Sequence, residues 1–144
     1  MSLEDVEAVR RLYEAWLRGD MGLELLHPEI SMVESATLPG AVSAYGIDAV
    51  TRYIESFAKY WEEVRFEPEE FLDAGGGRVL VVARLIGKGK RSGVEVVRTW
   101  AYVWTVRDGL VSAMAGYADR EEALKALAPP GPAASGKPET PSER

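Results

Sequence analysis

The residues of this chain that could do chemistry are carboxylates, phenols and guanidinium groups. There is no cysteine, and His27 is the one histidine. A thiol nucleophile, a disulfide framework and a zinc–thiolate site are therefore ruled out, and any metal site would rest on carboxylates. Glu34 stands out among these. In the run Ile30-Ser-Met-Val-Glu-Ser35, strand parity sets Ile30, Met32 and Glu34 on one side and Ser31, Val33 and Ser35 on the other. A carboxylate on an apolar face loses solvation, which suits a general base that takes a proton from carbon. The competing reading ends the strand at Val33 and leaves Glu34 solvated at a rim.

A second pattern lies further along. Arg98, Trp100, Tyr102 and Trp104 alternate with Val97, Thr99, Ala101 and Val103, so one face of a long strand carries an arginine and three large aromatics. Such a face offers area to a planar apolar ligand, with the Tyr102 hydroxyl or Arg98 available to polarise a carbonyl or hold a carboxylate. Filling of the core by Trp100 or Trp104, or a dimer surface, is the alternative use of the same face. Glu34 and Tyr102 are thus the catalytic candidates. Tyr13, Trp16, Arg84, Arg98, Trp100 and Trp104 are the ligand-binding candidates. Tyr13 and Trp16 lie on the apolar stripe of the first helix and would form a lid. Arg84 interrupts the apolar run Arg78-Val-Leu-Val-Val-Ala-Arg-Leu-Ile86. If buried, it needs Glu34 or Glu95 as a partner; if it faces solvent, it needs none.

Other features read as structural. His27 precedes Pro28 at a corner and reads as a capping or packing residue. Gly87-Lys-Gly-Lys-Arg-Ser-Gly93 has strands on both sides, so it is a hairpin rather than a phosphate loop, which would lead into a helix. Neither a nucleophile elbow nor a dinucleotide fingerprint is present, and no cofactor or metal is expected.

The elements that must position these groups are legible from periodicity. Val6, Val9, Tyr13, Trp16 and Leu17 define a first helix, stopped by Gly19-Asp20. A short helix is expected over Met21 to Leu26, closed by His27-Pro28, and then the Glu34 strand. After a loop with Pro39 and Gly40, Gly46-Ile-Asp opens what reads as the longest helix, its stripe running from Ile47 through Trp61 to Val64. Phe66 to Leu72 is a strand that Pro68 confines to an edge. Arg78 to Ile86, Val94 to Arg107 and Leu110 to Ala118 are further strands, with Asp108-Gly109 as a hairpin turn. Arg120 to Leu127 is a last helix. Helices first and long strands afterwards make an α+β layout.

Composition sets the limits. Lys and Arg number 17 against 23 Asp and Glu, a formal charge of −6, which argues against nucleic acid or an anionic membrane as the main partner. No apolar run approaches the roughly 20 residues that span a bilayer, and no basic-then-apolar segment opens the chain, so it reads as a cytoplasmic domain. Residues 1–127 read as that domain. Residues 128–144 hold five of the eight prolines and no large apolar side chain, and read as a disordered tail.

The helix ending in Gly19-Asp20, the His27-Pro-Glu29 turn into a strand, and Gly46-Ile-Asp-Ala-Val50 make a familiar order. Val103-Trp-Thr-Val-Arg-Asp-Gly-Leu-Val111 and Gly116-Tyr-Ala-Asp-Arg-Glu-Glu-Ala-Leu124 complete it. Together they resemble the SnoaL-like branch of the nuclear-transport-factor-2-like superfamily, over about Leu3 to Leu127. That superfamily includes polyketide cyclases, ketosteroid isomerases and limonene-epoxide hydrolases. The resemblance implies a cone-shaped, strongly curved, mostly antiparallel sheet with N-terminal helices over its concave face. It also implies the Arg98 set pointing inward, an apolar pocket at the cone mouth, and homodimers through the outer sheet face. Two of the known catalytic patterns are not matched. Leu12, Ser35 and Tyr102 fall where ketosteroid isomerases carry Tyr, a carboxylate and Asp. Arg98 has no Asp two residues away, and Leu110 to Ala118 holds no acid, unlike the epoxide hydrolases. A cyclase pattern, a carboxylate base in the cone plus polar anchors, is compatible. Two readings follow: a domain that binds a small apolar molecule without catalysis, or a cofactor-independent isomerase, cyclase or hydratase. The second would act on a small apolar carbonyl compound, with Glu34 as base and Tyr102 or Arg98 as electrophilic partner.

Overall fold

Apolar side chains at three- and four-residue spacing wind Ser2–Leu17 into helix α1, whose inner stripe includes Val9, Leu12 and Tyr13, all buried. The computed structural model describes residues 2–35 and 41–127. A single 3₁₀ turn, Leu23–Leu25, follows α1 and leads into strand β1, Leu26–Glu34. Next come β2 (Ser43–Tyr45), α2 (Ile47–Tyr60), β3 (Trp61–Gly75), β4 (Arg78–Gly89), β5 (Glu95–Arg107), β6 (Leu110–Tyr117) and α3 (Arg120–Leu127). The Pro39-Gly40 loop and the tail at 128–144 lie outside the described residues.

The strands form one open, mixed sheet in the order β2-β1-β6-β5-β4-β3. Only β1 and β6 run parallel; every other pair is antiparallel. Helices α1 and α2 cover the inner face, where Val79, Val81, Ala83, Trp104 and Met114 meet Val9, Leu12, Tyr13 and Val50 in the main core. On the outer face α3 caps a smaller cluster of Leu80, Ala101, Val103 and Ala123. This is the expected α+β architecture. The edge position of the Pro68 strand also holds: β3 is terminal in the sheet, and its register slips between Pro68 and Glu70, where a residue without an N–H is tolerated. Asp108 and Gly109 both take positive φ, 55° and 77°, as a two-residue hairpin turn between right-twisted strands requires.

Boundaries differ from the sequence reading in four places. His27-Pro28 does not close a helix; both lie inside β1, and the expected helix over Met21 to Leu26 shrinks to the 3₁₀ turn. Strand β2 was not expected. Helix α2, at 14 residues, is shorter than α1, at 16. It stops at Tyr60, so Trp61 and Val64 belong to β3. Trp61 adopts extended backbone, φ −119° and ψ 132°, and its ring lies over the backbone of Gly87, where a Cβ would come within 2.6 Å of the ring. The register slip between Trp61 and Glu63 turns both Trp61 and Val64 towards the inner face, which imitates a helical stripe.

Candidate functional site

Between the two N-terminal helices and the inner sheet face lie two adjoining chambers. The inner one, of about 180 Å³, is lined by Tyr13, Trp16, Met32, Ile54, Trp104 and Met114 among others, and by the Gly19–Met21 turn. The outer one, of about 330 Å³, is lined by Glu34, Trp61, Leu85, Arg98, Trp100, Gly116 and further residues. Tyr53, Phe57, Phe66 and Tyr102 line both.

The walls are built from aromatic contacts. Tyr13 packs edge-on against Trp16 and Trp104, with centroids 5.4 and 5.8 Å apart, and Trp16 stands 5.7 Å from Phe66. Phe66 meets Phe57 at 5.4 Å, and Phe57 meets Tyr53 at the same distance. The buried polar tips of this wall are paired: the Trp104 indole N–H donates to the Tyr13 hydroxyl at 3.1 Å, and the Trp16 indole N–H donates to the Met21 carbonyl at 2.9 Å. These pairs fix the aromatic planes and leave the inner chamber almost wholly apolar.

The polar centre is one row of the sheet. Glu34 on β1 lies opposite Gly116 on β6, and Gly116 lies opposite Tyr102 on β5. Because Gly116 has no side chain, this row of the sheet carries no side chain between Glu34 and Tyr102. A Cβ on Gly116 would sit 3.6 Å from that ring. Glu34 is held from two sides. The Tyr53 hydroxyl donates to Oε2 at 2.7 Å, and the Val42 backbone N–H donates to Oε1 at 3.0 Å. Burial, then the hydrogen bond to Glu34 and its charge, push the Tyr53 phenol well above its ordinary range. Burial first and the Glu34 charge second do the same to Tyr102. For Tyr13, burial dominates, and the Trp104 hydrogen bond opposes it. At neutral pH all three are neutral hydroxyls. The Tyr102 hydroxyl has no hydrogen-bond partner among the described residues, so it is a free donor facing the chambers.

Most of the residues singled out from sequence meet here: Glu34 and Tyr102 share the polar row, Tyr13, Trp16 and Trp104 wall the inner chamber, and Trp100 and Arg98 line the outer one. Arg84 does not join them. Its neighbour Leu85 faces the outer chamber, so Arg84 points to the other side of the sheet. There its guanidinium lies 3.9 Å from Glu67 and 3.8 Å from Glu69 on β3, rather than near Glu34 or Glu95, and its Nε is buried without a hydrogen-bond partner. His27 pairs with Arg107 on the surface. At the position the isomerase pattern gives to Tyr, Leu12 is fully buried, and it is Tyr13 that reaches the chamber.

Sequence reasoning missed Tyr53 and Gly116. Tyr53 sat unremarked in the α2 stripe, although a phenol facing a core needs a partner for its hydroxyl. Gly116 sits inside a strand, where a glycine marks a close approach. Among the described residues no group of three or more His, Asp or Glu is placed to hold a metal ion, and no helix is long and apolar enough to cross a membrane.

The family model of the SnoaL-like domain matches residues 9–114. An NTF2-like protein of Burkholderia thailandensis has a similar structure, with a TM-score of 0.70 at 26% identity over 87% of this chain and 98% of that one. A candidate SnoaL-like polyketide cyclase of Jannaschia sp. CCS1 gives 0.69 at 21% identity, over 90% and 95%. TerC, co-crystallised with polyporic acid, gives 0.69 at 21% identity, over 86% and 97%. No curated protein matches the chain.

Proposed function

The chain belongs to the SnoaL-like domain family, and from that premise we propose that it binds a small, largely apolar molecule between its helices and the inner face of its sheet. The observation that carries this reading is the Tyr102 hydroxyl, a free donor in the row that joins two aromatic-walled chambers. An apolar wall with an unpaired phenol donor at its centre selects a ligand with a mostly hydrophobic body and an acceptor at that depth, such as a carbonyl oxygen. TerC, a protein of similar fold, was co-crystallised with a small molecule, polyporic acid. A pair of copies joined through the outer sheet face, where Val97 is 56% exposed, would leave both chambers open.

A second reading has its own observation: the Glu34 carboxylate, oriented by Tyr53 and Val42, lines the same chamber as Tyr102. With a ketone carbonyl on the Tyr102 O–H, Glu34 would take an α-proton and the enolate oxygen would remain on the phenol.

Both readings are tested with 4-acetylbiphenyl, an apolar aryl ketone. Native mass spectrometry is expected to show a one-to-one adduct that Tyr102→Phe weakens about two- to tenfold, the worth of one neutral hydrogen bond. Absence of any adduct overturns the binding reading. Deuterium uptake at the acetyl methyl, accelerated by the native chain and not by Glu34→Gln, would establish the catalytic reading. Uptake at the buffer rate with binding retained leaves a non-catalytic binding domain.

A further inference from the structure

The charges lining the chambers are unequally satisfied, and the ligand has to match what is left over. Among the described lining residues Asp20 and Glu34 are the acids and Arg98 is the base. Both acids are engaged. Asp20 accepts the Gly22 backbone N–H at 2.8 Å and lies 4.0 Å from the Arg18 guanidinium. Glu34 holds its two donors, Tyr53 and Val42. Arg98 makes no ion pair and no side-chain hydrogen bond with any described residue.

Its position is informative. Arg98 is exposed to solvent and also lines the outer chamber, so its guanidinium stands at the rim. It lies on the same face of β5 as Trp100 and Tyr102. Four residues of strand, about 13 Å, separate it from the row that holds Tyr102 and Glu34. A carboxylate near that row would be repelled by Glu34. A carboxylate at the rim would meet an unpaired planar guanidinium, which binds such groups through two parallel hydrogen bonds. Among the described lining residues Arg98 is the one base, so an anionic group of a bound ligand is drawn to this spot.

We propose that the ligand is an elongated apolar carboxylic acid, its hydrophobic body in the aromatic chambers and its carboxylate on Arg98. This rests on the ligand-binding reading above and gives it a chemical class. The molecule spans from the Tyr102 row to the rim, so short acids gain little and long rigid ones gain most.

The test is isothermal titration calorimetry of the full chain with 4-biphenylacetate, its methyl ester and its amide, at low and high salt. The acid is expected to bind about tenfold more tightly than the neutral pair, as a charge-assisted hydrogen bond supplies. Salt should shrink that preference. Arg98→Gln should remove it by weakening the acid far more than the amide, and Arg98→Lys should keep part of it. Equal affinities for acid, ester and amide in the native chain would overturn the proposal and leave the ligand-binding reading intact. So would an acid preference that survives Arg98→Gln. Failure of all three compounds to bind would overturn the parent reading along with it.

Discussion

Glu34 and Tyr102 face each other across Gly116, yet they have different surroundings. Glu34 is tied to Tyr53 at 2.7 Å, while the Tyr102 hydroxyl has no such tie among the described residues. Their phenylalanine variants should therefore part company. Tyr53→Phe strips a donor from a partly buried carboxylate and is expected to lower the unfolding free energy by about 1–3 kcal/mol. Tyr102→Phe loses no intramolecular bond and should stay within about 0.5 kcal/mol of the native chain. Urea denaturation of the two proteins checks this, and equal losses would show that the Tyr102 hydroxyl has a structural partner. Strand parity was enough to bring Glu34, Tyr102, Trp100 and Arg98 towards one face. It could not place Arg84, because β4 is apolar on both sides of that residue. The inner face is covered by α1 and the outer by α3, so the alternation that would reveal direction is missing.

The elements were legible where turn chemistry or a proline marked them, as at Asp108-Gly109 and Pro68. They were not legible at the end of α2, since Trp61 and Val64 continue the helical spacing while belonging to a strand. What ends the helix is a contact distant in sequence: the Trp61 ring on the backbone of Gly87, with β3 paired to β4 from Trp61 opposite Gly89 onwards. No local pattern reports that. The same contact yields a prediction. Gly87→Ala would put a methyl within 2.6 Å of the Trp61 ring, forcing the outer chamber wall aside. Stability should fall by about 1–3 kcal/mol, and Trp61→Ala should relieve most of the clash in the double variant. Thermal unfolding of the singles and the double measures the coupling; additive losses would refute the contact.

For the molecule as a whole, the cone concentrates phenols in a largely apolar interior, and that leaves a signature in alkali. Tyr13, Tyr53 and Tyr102 hold their protons more tightly when folded than when unfolded. Below about pH 10 both states are protonated and their contribution to stability is complete. As pH rises above that, the unfolded chain releases protons that the folded chain keeps, so stability falls by up to about 1.4 kcal/mol per pH unit for each phenol. Urea midpoints from pH 9 to pH 11.5, read with tyrosine absorbance, should show this decline. Titration of all 6 tyrosines together near pH 10 in the folded protein would contradict it. The order of elements made the α+β cone readable from sequence, whereas the division of its interior into an apolar and a polar chamber depends on side chains from five separate strands and two helices. The most direct test of the central claim, that this interior takes up an apolar ligand, is a proton–nitrogen correlation spectrum of the chain titrated with 4-acetylbiphenyl. Saturable shifts of the indole N–H signals of Trp16 and Trp104, with the amides of α3 on the outer face unmoved, are the expected result. Unmoved indole signals, or shifts confined to the outer face, would contradict the account.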